Sequence, residues 1–169
     1  MSRILLRLFD VMRFRAGPQD LPAGWSMAIL AALAYGVQGL IAGRLLDGPA
    51  AAPRSLLALA VQVTASWALL SLRRFPNRLP QTITALAGTG FLFSLFSAVL
   101  LLQAAPGGIA PGLALIWFGV FLWSLLVDAH IYRHALSITM SLGVLVAVVV
   151  FALNFFVIEA LFPAGSNGG

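Results

Sequence analysis

Residues 113–162 read LALIWFGVFLWSLLVDAHIYRHALSITMSLGVLVAVVVFALNFFVIEALF. About 20 apolar residues in a helix cross the hydrocarbon core of a bilayer, so fifty are too many for one span. Asp128, His130, Tyr132, Arg133 and His134 interrupt the run. Such a group does not rest comfortably in lipid. The stretch therefore reads as two spans, about Leu113–Val127 and Leu136–Phe162, joined by a polar hairpin. One long span followed by a re-entrant piece is the competing reading.

The same reasoning extends toward the N-terminus. Three more apolar runs lie at about Trp25–Leu46, Ser55–Leu72 and Gln81–Gln103. Pro and Gly punctuate the connections at 47–54, 76–80 and 104–112, where a helix cannot easily continue. The expected fold is all-α, a polytopic membrane bundle of five transmembrane helices. The expected organisation is an N-terminal segment 1–23, a five-helix domain 24–162 and a flexible tail 163–169.

Composition agrees. Of 169 residues, 61% are hydrophobic and 9% charged, and the mean hydropathy is +1.01. Soluble domains carry about 25% charged residues. A soluble enzyme, a disordered chain and a collagen-like chain are all excluded.

Residues 1–15, MSRILLRLFDVMRFR, behave differently. At 100° per residue, Ile4, Leu5, Leu8, Phe9, Val11 and Met12 share one arc, and Arg3, Arg7, Asp10 and Arg13 share the opposite one. An apolar face backed by arginines suits a helix lying in the headgroup plane, with Arg3, Arg7, Arg13 and Arg15 at the membrane surface. A stub packed on the rest of the protein is the alternative. The same arginines interrupt what would be the apolar core of a cleavable signal, so none is expected.

The charges encode orientation. There are ten Arg and no Lys. With the N-terminus inside, Arg3, Arg7, Arg13, Arg15, Arg73, Arg74, Arg78 and Arg133 are inside, and Arg44 and Arg54 are outside. Eight against two is a positive-inside bias. The N-terminus is expected in the cytoplasm and the C-terminus in the periplasm of a bacterial inner membrane. Arg without Lys beside abundant Ala, Leu and Gly fits a GC-rich bacterial genome. The net charge of +5 then reflects topology, and nucleic acid is not an expected partner.

Small residues mark packing faces, because helices in lipid associate through close approach. Ala28, Ala32, Gly36, Gly39 and Gly43 form one stripe on the first span. Ala87, Gly90, Ser94 and Ser97 form another on the third. Both are candidates for contacts within the chain or with a partner subunit.

Chemistry is sparse. No cysteine is present, so thiolate chemistry is excluded. His130 and His134 stand four residues apart near Asp128, a spacing that can hold a divalent metal. A polar cytoplasmic patch of Asp128, His130, Tyr132, Arg133 and His134 is the favoured reading. No metal, cofactor or catalytic residue is expected. No ionisable group is evident at the centre of any span. Gln38, Gln62, Thr84 and Asn154 are the polar residues from which a solute groove would be built.

Five spans behind a short N-terminal segment resemble the Yip-type family of small integral membrane proteins. Gly17-Pro18 before the first span and Ile131-Tyr132-Arg133 in the final hairpin carry the resemblance, which extends over most of the chain. It implies a non-enzymatic scaffold or trafficking-type role. The expected function is an accessory, assembly or scaffold subunit of a larger membrane complex. Its expected partners are other membrane subunits and phospholipids, with homo- or hetero-oligomers left open. A small transporter, channel or lipid-handling protein is the alternative.

Overall fold

The computed structural model describes residues 2–46, 51–103 and 110–163; the tail beyond, 164–169, lies outside the described residues, as do parts of two expected loops, 47–50 and 104–109. The regular elements among the described residues are helical. They are α1 (Ser2–Met12), a 3-10 turn (Pro18–Asp20), α2 (Trp25–Leu46), α3 (Ala51–Leu72), a second 3-10 turn (Pro76–Arg78), α4 (Leu79–Leu101), α5 (Pro111–Leu136) and α6 (Met140–Leu161). Helices α2 to α6 are long and apolar enough to cross a membrane. The chain is an all-helical, multi-pass membrane protein.

Helix α4 is the centre of the bundle. Half of its span is buried, against 11–17% for the other four. Residues Thr82 to Thr89 are buried without a break. Helices α1, α2, α3 and α5 and both 3-10 turns pack on α4. Three threonines are tolerated there because each hydroxyl donates to a carbonyl four residues back. Thr82 bonds to Arg78, Thr84 to Pro80 and Thr89 to Ala85, each at 2.8 Å. These local bonds satisfy the hydroxyls without a partner helix.

The small residues lie at helix contacts. Gly36 faces Leu56 and Leu59 of α3, and Gly39 faces Ser55, whose Oγ donates to the Gly39 carbonyl at 3.2 Å. Gly43 is buried, and Ala32 packs against the core. On α4, Gly90 receives the ring of Tyr35 from α2, while Ser94 and Ser97 are half-buried farther along. A third close contact joins α5 to α6. A Cβ on Gly143 would stand 2.5 Å from the Ala129 carbonyl oxygen and 3.2 Å from Arg133 Cβ. Ala147, one turn on, is also buried.

The expected boundary of the fourth span is corrected. Helix α5 runs on from Val127 to Leu136, and α6 starts at Met140 rather than Leu136. The turn is Ser137-Ile138-Thr139. Helices α1, α3 and α5 end at the same face of the bundle, each with a non-glycine residue in the left-handed region: Phe14, Arg74 and Ser137, at φ 60°, 61° and 54°. The chain then bonds back from Arg15 to the Asp10 carbonyl, from Phe75 to Leu70 and from Ile138 to Arg133, at 2.8, 2.8 and 3.0 Å. Glycine usually fills this position. Without it each cap costs about 1–2 kcal/mol.

Helix α1 packs on the bundle. Leu8, Val11 and Met12 are buried, and Leu8 lies over Gly88 of α4. Leu5, Leu6 and Phe9 stay exposed, as do Arg3, Arg7, Arg13 and Arg15. The segment after α1 is pinned to α5. Trp123 Nε1 donates to the Met12 carbonyl at 3.0 Å, and His130 Nε2 lies 3.0 Å from the Ala16 carbonyl.

Candidate functional site

Because α5 continues through the polar group, its members are sorted by helical angle. His130 and His134 share one side. Asp128 and Tyr132, also four residues apart, share another about 160° away. The expected single patch is therefore divided. His130 is buried between the N-terminal segment and α5, with Phe14 edge-on to its ring at 5.2 Å and His134 at 4.5 Å. A carbonyl can only accept, so His130 Nε2 carries the hydrogen and leaves only Nδ1 to act as a ligand. Arg133 is exposed. Among the described residues, no group of three or more His, Asp or Glu side chains converges as a metal site would need.

Arginines at this face close the end of α5. Arg78 Nη1 donates to the His134 and Ala135 carbonyls at 3.3 and 3.0 Å and to Ser137 Oγ at 2.8 Å. Its guanidinium lies 4.2 Å from the centre of the Phe75 ring. These bonds satisfy carbonyls that the helix itself leaves open, and they put positive charge where the helix dipole is negative.

Asp128 and Tyr132 face a different environment. They line a cavity of about 370 Å³ walled by α2, α3, α5 and α6. Its polar lining is Tyr35, Gln62, Ser124, Asp128, Tyr132 and Asn154, and its aromatic wall includes Phe121, Phe151 and Phe155. Phe151 and Phe155 are about half exposed, at 47% and 57%, so the cavity opens on the flank of the bundle. Asp128 lies eight residues before the end of α5, about 12 Å along the helix. Tyr35 and Gln62 lie about 15 Å from the same face. Asp128 is thus an ionisable group within α5, off the centre of the helix and about two turns from its end.

The hydrogen bonds around this cavity have a direction. Ser66 Oγ donates its one hydrogen to the Gln62 carbonyl at 2.8 Å. It can then only accept from Tyr132, whose hydroxyl stands 3.1 Å away. Ser124 spends its hydrogen on the Phe121 carbonyl at 2.8 Å. Among the described residues, no hydrogen bond or ion pair engages the Asp128 carboxyl, and Asn154 Oδ1 is buried without a partner. Gln38 and Arg54 Nε are likewise buried without a partner among the described residues, but only the Asn154 atom belongs to a residue lining this cavity, where a buried polar atom left open marks a place for a water or a ligand.

The four residues from which a solute groove was expected are not brought together. Gln62 and Asn154 meet in the cavity. Thr84 instead lines an apolar groove of about 200 Å³ between α1, α2 and α4. Gln38 is half-buried on α2, and its amide has no partner among the described residues. Tyr35, Ser124 and Asp128 complete the cavity, and sequence reasoning did not connect them. No protein-family model, curated protein or solved structure matches the chain.

Proposed function

We propose that this protein is a non-catalytic membrane protein that takes a small amphipathic molecule or a lipid into the cavity around Asp128. This is the reading of a small transporter, channel or lipid-handling protein. The observation that carries it is a carboxyl group about two helical turns from the end of α5, facing an open cavity and engaged by no protein group among the described residues. An ionisable residue in such a position is costly and is retained for function by default. Cavities of about 300–1,000 Å³ with a mostly apolar wall and a few convergent polar groups are the usual form of small-molecule sites.

Native mass spectrometry of protein extracted in mild detergent tests this. The wild type is expected to retain a discrete bound mass. Ala58→Phe, which fills the cavity from α3 and leaves every polar liner in the sequence, is expected to lose it. Equal adducts on both proteins, or none on the wild type, would contradict the reading.

An accessory, assembly or scaffold role in a larger membrane complex is the second reading. The exposed Leu5, Leu6 and Phe9 on α1 favour it, since that apolar edge faces away from the bundle. With Arg3, Arg7, Arg13 and Arg15 alongside, the same edge suits a helix seated at a phospholipid surface. Kinship with Yip-type proteins belongs to this reading and rests on Gly17-Pro18 and Ile131-Tyr132-Arg133.

The proposed location is a bacterial inner membrane, N-terminus in the cytoplasm and C-terminus in the periplasm, on the eight-to-two arginine bias. The chain has no native cysteine to confuse labelling. An impermeant thiol reagent on intact cells is expected to label Pro163→Cys and to spare Ser137→Cys. The reverse pattern would invert the orientation.

A further inference from the structure

We infer that the cavity around Asp128 selects a cation of the substituted-ammonium type, whether on a free hydrophobic molecule or on a lipid headgroup. The inference rests on the ligand-binding reading above and names its ligand chemistry. Among the described residues, the lining holds one acid and no base. Ser66, Ser124 and Tyr132 direct their hydroxyl hydrogens into protein bonds, so Ser124 and Tyr132 present lone pairs to the cavity. The Asp128 carboxyl and Asn154 Oδ1 add further acceptors. The remaining donors are the Tyr35 hydroxyl and the amides of Gln62 and Asn154, and none of them is positively charged. An anion would meet the Asp128 carboxyl with no counter-charge. A cation would meet a carboxyl at one point and ring faces elsewhere.

The rings suit this role. Phe121 and Phe151 stand 5.3 Å apart at an interplanar angle of 60°, and Phe155 and Tyr35 complete the wall. Aromatic faces attract cations, most strongly where water is excluded. The apolar wall accepts the substituents. A bare metal ion fits less well, because among the described residues no second carboxylate lines the cavity.

The test uses the full-length protein in lipid nanodiscs, with tetraphenylphosphonium as probe and tetraphenylborate as its anionic counterpart of the same shape. Wild type is expected to bind the cation saturably and the borate no better than Asp128→Asn does. Asp128→Asn is expected to weaken cation binding by about tenfold or more, while Asp128→Glu keeps most of it. Nanodiscs of phosphatidylglycerol, with and without phosphatidylethanolamine, separate the sources. Weaker probe binding when the ethanolamine lipid is present means that its headgroup ammonium is the resident cation. Unchanged binding means that a free cation is. Each composition is read against Asp128→Asn in the same lipid.

Equal binding of cation and borate, or a wild-type affinity in Asp128→Asn, overturns the cation inference. So does absence of probe binding. If the mass adduct removed by Ala58→Phe persists in those cases, the cavity still binds a ligand and only its charge was misassigned. If the adduct is absent too, both readings fall.

Discussion

Gly143→Val is expected to leave no monodisperse protein after detergent extraction, and Gly143→Ala is expected to lower the thermal midpoint clearly. The reason is the approach of α6 to α5. A Cβ at 143 meets the backbone oxygen of Ala129 at 2.5 Å, and backbone cannot rotate out of the way as a side chain can. The two helices must move apart, and the buried contacts at Ala147 and Val150 loosen with them. Overpacking of this kind costs about 1–3 kcal/mol for a small addition. Valine adds two methyl groups against the same oxygen. Gly119, on α5, is the internal control, because nothing lies within 4 Å of an added Cβ there. Gly119→Ala is expected to be neutral or to stabilise by about 0.5–1 kcal/mol through helix propensity. Size-exclusion profiles and thermal scans of the three variants check the set. A Gly143→Ala midpoint equal to that of Gly119→Ala would show that the α5–α6 contact is not tight.

Asp128→Asn and Asp128→Leu are expected to raise stability rather than lower it. A carboxyl group held in a confined membrane-embedded cavity without a hydrogen-bonding protein partner keeps only part of the hydration it has in bulk water and recovers little from the protein. Mutational data put such costs at about 1–3 kcal/mol. Asparagine keeps the shape with a weaker demand for solvation. Leucine removes the polar demand and fills part of the space. For a chain of this size, about 1–2 kcal/mol corresponds to roughly 2–8 °C in thermal midpoint. Residues kept for function commonly cost stability, and their removal restores it. Tyr132→Phe supplies the contrast. It breaks the 3.1 Å contact with Ser66, a bond that ties α5 to α3, and is expected to destabilise. Thermal scans of the ligand-free protein in one detergent decide the matter. A large fall in midpoint for Asp128→Asn would make Asp128 a structural residue and would remove the main support for a binding site.

Much of the fold was legible because hydropathy is a property of runs. The first span, Trp25–Leu46, has the same bounds in the structure as in the sequence. The loops marked by Pro76 and Pro80 and by Pro111 fall at helix starts, where proline is tolerated. The end of α5 was not legible, for two reasons. Its cap is Ser137 in a left-handed conformation, with neither Gly nor Pro to announce it. And the polar residues 128–134 do not interrupt the helix, which runs through them to Leu136. His130 meets the Ala16 carbonyl, 114 positions away, while Asp128 and Tyr132 turn into the cavity. Hydropathy weighs each residue against lipid and is blind to partners supplied by distant segments. Thr139, whose hydroxyl accepts from the Leu142 amide at 3.4 Å, was the readable sign of where α6 begins.

The candidate site was hidden for the same reason. Gln62 and Asn154 were visible as polar residues within spans, but their meeting depends on how α3, α5 and α6 pack. That packing is governed in part by Gly143, whose pairing with Ala147 as small-xxx-small was present in the sequence. Thr84 resembled them in composition and ended elsewhere, with its hydroxyl satisfied by its own helix. Polar residues within spans therefore divide into those that close their own bonds and those left open. Only the second kind builds this site.

The most direct measurement of the central claim, that a polar cavity opens around Asp128 inside the membrane, is the reactivity of single cysteines in the otherwise cysteine-free chain. Small water-soluble methanethiosulfonates react only with thiols that meet water. In native membranes, Asn154→Cys is expected to react readily, because position 154 lines the cavity, while Leu153→Cys, on the exposed flank of α6, is expected to stay inert in lipid. Equal inertness of both positions would mean that the cavity is closed and dry, and the proposed site with it.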